Sequence, residues 1–184
     1  SDHPIEVEKT IFPEEINLSS IENSDFKNIQ KNKFEKMTSV DQDFLVNQLY
    51  MKGVDLKEQG DLKKAVTVFE LLNEIVPFDE SIRNNLIVSY IRSGSLEKAE
   101  LFLLGVINNG SKNNVPYKLI LAGLQSAKGD LKQSKKTYLD ILEYEPSNEE
   151  ACVFLAKTFQ GEGNIKKATS LLKKCLSFDK QNTN

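Results

Sequence analysis

The sequence predicts an all-α fold, a solenoid of about four antiparallel helix pairs, and two observations carry that prediction. Four glycines, Gly60, Gly94, Gly129 and Gly163, recur at intervals of 34, 35 and 34 residues. A fixed period of this length marks a stack of repeated supersecondary units. The second observation is helical spacing. Leu62, Ala65, Val66, Phe69, Leu72 and Ile75 fall on one face of a helix, and Leu131, Tyr138, Ile141 and Leu142 repeat that face two units later. No segment alternates with period two for more than a few residues, so no sheet is expected.

Each glycine opens the same phrase. Gly60-Asp61-Leu62-Lys63-Lys64-Ala65 is followed by Gly94-Ser95-Leu96-Glu97-Lys98-Ala99, Gly129-Asp130-Leu131-Lys132-Gln133-Ser134 and Gly163-Asn164-Ile165-Lys166-Lys167-Ala168. Glycine just past a helix end reaches the left-handed conformation without a Cβ clash. The Asp, Ser or Asn that follows can accept from the unpaired N–H groups of the next helix. Lys, Lys, Gln and Lys, in that order, stand three residues after these caps, so no reciprocal capping box is completed there. Ala65, Ala99, Ser134 and Ala168 keep the crossing of the two helices small.

Other helix starts follow the same chemistry. The first repeat helix is expected near Ser39, where Ser39 and Gln42 fit a capping box, and further starts are marked at Asp79, Asn114 and Asn148. Ser147 with Glu150 offers a second capping box. Pro4, Pro13, Pro77 and Pro146 fall in tail or loops, and Pro116 in a first turn, where proline is tolerated.

These phrases resemble the tetratricopeptide repeat family, a 34-residue antiparallel helix pair stacked as a right-handed α-solenoid. Aligning on Ala65 gives units 46–79, 80–113, 115–148 and 149–182, with one inserted residue near Asn114. The first unit carries Gly53, Gly60, Ala65, Phe69 and Pro77 at the family's marked places. The second carries Leu86, Tyr90, Gly94 and Ala99, the third Leu121, Ala122, Gly129, Tyr138 and Pro146, and the fourth Leu155, Ala156, Phe159, Gly163 and Ala168. The repeat domain is expected over residues 39–184. Residues 1–38 form a polar N-terminal segment, open to two readings: a partly disordered tail, or a segment whose isolated Ile, Leu and Phe residues dock.

Composition bounds the function. With 24 basic and 27 acidic residues the net charge is −3, which argues against nucleic acid as a partner. No apolar run approaches the length of a membrane span. The chain opens on Ser1 rather than Met, so a trimmed or processed chain with a segment upstream is expected. A cytoplasmic location is the reading, with a periplasmic or membrane-tethered one as its alternative.

Catalysis has little to work with. The only histidine is His3, in the tail, so no histidine relay forms in the repeats. Cys152 and Cys175 lack metal-ligand spacing and occupy apolar positions. Buried free thiols are expected, with a disulfide between the two helices as the alternative. No enzyme activity, cofactor or metal is expected. The run from Gly105 to Lys112 nearly spells a phosphate loop, but Ser111 and Lys112 stand in the wrong order and the run ends a helix rather than beginning one.

The resemblance implies a binding groove instead, lined by the first helix of each unit. It assigns Tyr50, Val54 and Lys57 from unit one, and Asn84, Asn85, Val88, Ile91 and Arg92 from unit two. Leu119 and Ile120 come from unit three, and Glu150, Val153, Phe154 and Lys157 from unit four. Asn84 and Asn85 would bond to a ligand's backbone. The family's clamp for a C-terminal carboxylate needs charged donors. Its places hold Tyr50, Val54, Asn85, Pro116 and Ile120, so an apolar-anchored peptide is expected rather than a carboxylate. The expected function is a non-catalytic protein-interaction scaffold, and the alternative is a chaperone for secreted or membrane-inserted clients. Leu172, Leu176 and Phe178 would be partly uncovered after the last helix. Either the native chain continues there or that face meets another molecule. A homo-oligomer would form there or through the N-terminal segment.

Overall fold

Eight long helices follow one another, with no strand, in the computed structural model, which describes residues 34–110 and 114–181 and side chains as far as residue 177. They are α1 (Ser39–Glu58), α2 (Leu62–Ile75), α3 (Glu80–Arg92), α4 (Leu96–Asn109), α5 (Val115–Ala127), α6 (Leu131–Tyr144), α7 (Glu149–Gly161) and α8 (Ile165–Gln181). Residues 1–33 of the N-terminal segment, on which its two readings chiefly rest, lie outside those described, as do His3 and the Ser111-Lys112 pair.

The four glycine corners are built alike. Gly60, Gly94, Gly129 and Gly163 have φ of 82°, 76°, 83° and 76°. At the first, the Gly60 N–H donates to Lys57 O and the Asp61 N–H to Leu56 O. The same pair of bonds recurs from Gly94 and Ser95 to Ile91 O and Tyr90 O. It recurs again from Gly129 and Asp130 to Ser126 O and Gln125 O, and from Gly163 and Asn164 to Gln160 O and Phe159 O. This Schellman arrangement satisfies carbonyls that a helix end leaves unpaired. Three of the next residues then cap the following helix: Asp61 accepts from the Lys64 N–H, Asp130 from Gln133 and Asn164 from Lys167.

Two expected starts move. The cap of α1 is Thr38, not Ser39: the Thr38 Oγ1 accepts from the Asp41 N–H at 3.2 Å, and Gln42 turns back to donate to Phe34 O. Ser147 does not cap α7; Asn148 does, accepting from the Ala151 N–H at 3.1 Å. Asp79 caps α3 as expected. Asn114 precedes α5 without a side-chain cap bond, and its amide instead lies 3.4 Å from the Val106 and Ile107 carbonyls at the end of α4.

The described residues form two compact units, one ending at Ser95 and the other beginning at Leu96. In the first, α2 is the central helix. Val68, Phe69, Leu71 and Leu72 are fully buried, packed with Leu49 and Leu56 of α1 and Ile82, Leu86 and Ile87 of α3. In the second, Ala122, Tyr138, Ile141, Ala151 and Leu155 form a core with Val115, flanked by Leu119, Leu142, Phe154, Phe159 and Leu171. Ala65, Ala99, Ser134 and Ala168 are all buried. The apolar residue that opens each second helix lies further out: Leu131 and Ile165 are exposed, Leu62 and Leu96 half-buried.

The expectation of free thiols is overturned. Cys152 of α7 and Cys175 of α8 are joined in a disulfide across 23 residues, with Cα atoms 6.5 Å apart. Both were read as packing residues because their positions are apolar. The same burial on facing helices brings the two sulfurs together.

Candidate functional site

The first half of the expected site lies on α1 and α3. Tyr50, Val54 and Lys57 share one face of α1 by their spacing. Asn84, Val88 and Arg92 are exposed along α3, with Asn85 and Ile91 half-buried beside them. Val88 keeps 42% of its surface open.

Asn85 joins the two helices. Its Nδ2 donates to the Tyr50 hydroxyl at 3.0 Å and to the Ser81 carbonyl at 2.9 Å. Its Oδ1 accepts from the Lys57 ammonium at 2.6 Å, and that ammonium also lies 3.9 Å from the Glu58 carboxylate. Both ends of the carboxamide are thus engaged within the protein, whereas sequence alone assigned it to a ligand. Tyr50 is fixed a second way, edge-on to Phe69 with ring centroids 6.0 Å apart. Side-chain hydrogen bonds therefore link α1 to α3 through Asn85. Lys57 is part of this link, and its role depends on a residue 28 positions away.

The second half lies on α5 and α7. Leu119 and Val153 line an open depression of about 460 Å³ together with Asn148, Glu149 and Glu150. The Glu150 carboxylate is held by Tyr138, whose hydroxyl donates to it at 3.1 Å. Burial, and then this bond, push the Tyr138 phenol up to about 12. Ile120 and Val153 are 37% and 39% exposed. Phe154 departs from the expected groove. It is half-buried, with its ring against Tyr138 at 4.2 Å and 30°, and it packs on the core. Lys157 lines a separate depression of about 320 Å³ between α7 and α8, which it shares with Val153. The structure thus brings together Tyr50 with Asn85, and Leu119 with Val153, each pair within its own unit.

Among the described residues no group of three or more His, Cys, Asp or Glu is placed to hold a metal ion. Among them too, no helix is long and apolar enough to cross a membrane.

Comparison with known proteins follows the repeat. Residues 149–182, comprising α7, its corner and α8, match the tetratricopeptide repeat family. No curated protein matches the sequence. Among solved structures, the crystal structure of MamA has a TM-score of 0.60 at 14% identity, over 75% of this chain and 80% of that one. A tetratricopeptide repeat protein from Parabacteroides merdae ATCC 43184 has a TM-score of 0.62 at 20% identity, over 73% of this chain and 54% of that one. This chain thus spans about half the length of the latter. The first repeat domain of Spaghetti (RPAP3), solved with the HSP90 peptide SRMEEVD, has a TM-score of 0.52 at 23% identity, over 64% of this chain and 93% of that one.

Proposed function

Because this chain is a tetratricopeptide repeat protein, in fold and over residues 149–182 in sequence, we propose that it is a non-catalytic scaffold capturing a partner peptide by apolar anchors. Helical repeat proteins bind other chains on surfaces that their stacked helices present. The observation that carries the finer reading is the state of the first-helix faces. Val88, Ile120 and Val153 remain 42%, 37% and 39% exposed there, beside polar groups that are already paired within the protein. Apolar area leaving water would drive such capture at roughly 25 cal/mol per Å². An engaged Asn85 offers a peptide little hydrogen bonding of its own. A relative in fold was solved with a peptide bound, which supports a peptide as the ligand class here.

Selection of peptides from a random displayed library tests this. Enriched peptides should carry two or more large apolar residues. Val88→Glu should weaken peptides captured by the first unit, and Leu119→Glu those captured by the second, each at least about tenfold, while helicity by circular dichroism stays unchanged. Binding that survives both substitutions would place the ligand elsewhere. A chaperone for secreted or membrane-inserted clients is the competing account, read by co-expression with an insoluble client. Recovery of that client in the soluble fraction would displace the scaffold reading.

A further inference from the structure

Another face, at the end of the second unit, lies between α7 and α8. The repeat itself supplies the comparison. In the third pair, Tyr138 of α6 is buried because α7 packs on it: Phe154 stacks against its ring and Glu150 accepts its hydroxyl. The residue one period later, on α8, is Leu172. It is 39% exposed, and no helix among the described residues covers it.

The groove around Leu172 has the shape of a helix seat. Val153 and Ala156 of α7 face Ile165, Ala168 and Leu172 of α8 across a depression of about 320 Å³. The two alanines keep its floor low, so a third backbone can approach closely. The Cys152–Cys175 bond ties α7 to α8, so the seat exists before anything enters it. A second depression of about 410 Å³ adjoins it on α8, sharing Ile165 and Thr169 and adding Lys166 and Lys173.

Charge selects the occupant. From Ile165 to Ser177, α8 carries Lys166, Lys167, Lys173 and Lys174 and no acidic residue, and Lys157 lines the other wall. A second copy presenting the same face would set lysine against lysine, which opposes docking. A lipid surface fits a convex stripe better than a groove between two helices. We propose that the α7–α8 groove docks an acidic amphipathic helix of a partner protein, its apolar stripe on Leu172 and its carboxylates toward Lys157, Lys166 and Lys173. This goes beyond the peptide-capturing first-helix faces, with which it shares only Val153 and Lys157 of α7.

The test uses the oxidised full chain and fluorescence anisotropy. The probe is a labelled amphipathic peptide of about five helical turns, with Leu at i, i+3, i+4 and i+7 spacing and Glu elsewhere. A counterpart has Lys for every Glu. The acidic peptide should bind, more weakly as salt rises, and the lysine peptide should not. Leu172→Glu should weaken binding at least about tenfold, and so should Lys166→Glu combined with Lys173→Glu, a fully surface change that leaves the fold intact. Val88→Glu should change nothing, so failure here is separable from failure of the first-helix faces. The proposal is overturned if the acidic peptide does not bind or both peptides bind alike. It also falls if sedimentation finds a dimer that Leu172→Glu dissolves, or if the chain binds phosphatidylserine vesicles through Leu172.

Discussion

The ring of Phe69 stands where a side chain on Gly53 would have to go: its Cζ lies 2.8 Å, and its Cε1 and Cε2 3.1 Å, from the position of a Cβ there. Phe69 is fully buried and held edge-on to Tyr50, so it has nowhere to retreat. Gly53→Ala sets two effects against each other. Helix propensity gains about 1 kcal/mol, while overpacking costs about 1–3 kcal/mol. The clash should win, and the melting temperature should drop by several degrees. An unchanged melt would mean that α1 and α2 are further apart than described.

Gly105 and Gly123 provide the opposite case. Both lie inside helices, α4 and α5, and, apart from the adjoining backbone of its own helix, a Cβ at either would meet no atom of the described residues within 4 Å. Alanine at each should therefore raise stability by about 0.5–1 kcal/mol in urea unfolding. A loss at both sites would show those helices to be closely covered there.

Alkaline pH should destabilise the fold through two tyrosines. Burial raises both Tyr90 and Tyr138, aided by bonds to Glu70 and Glu150 respectively, and Tyr138 reaches about 12. Between the ordinary phenol value near 10 and 12, the unfolded chain gives up protons that the folded chain keeps. Stability then falls as pH rises, being complete below about 10. The urea midpoint should drop between pH 9 and 11, and Tyr138→Phe should make that drop smaller. An identical drop in both proteins would detach Tyr138 from the effect.

The Cys152–Cys175 bond closes a loop of 23 residues. Chain entropy assigns such a loop roughly 3 kcal/mol. A reducing agent should lower the melting temperature of the wild-type chain and leave Cys152→Ser with Cys175→Ser unaffected. Equal responses in the two proteins would show that the bond does not form in solution.

Chemistry confined to a few neighbouring residues was readable beforehand; chemistry that spans helices was not. The corners at Gly60, Gly94, Gly129 and Gly163 depend on a backbone angle and a following cap, both written within a short stretch. Even so, Thr38 rather than Ser39 caps α1, because adjacent hydroxyls compete and one residue of register decides. Asn85 was read as a ligand group since its partners, Lys57 and Tyr50, are 28 and 35 residues away. Phe154 and Val153 are sequence neighbours with opposite fates, one against Tyr138 and one at the surface, and apolar character alone does not separate them. Cysteine pairing failed for the same reason: 23 residues of sequence say nothing of two sulfurs meeting across a helix pair.

The identical glycine corners have a genetic corollary. Each ties off its own carbonyls within six residues, as where Asp61 reaches back to Leu56. A hairpin copied or excised between two such corners would leave no backbone group stranded at the seam. Lengthening or shortening this array by whole periods is therefore the mildest large change its gene could undergo.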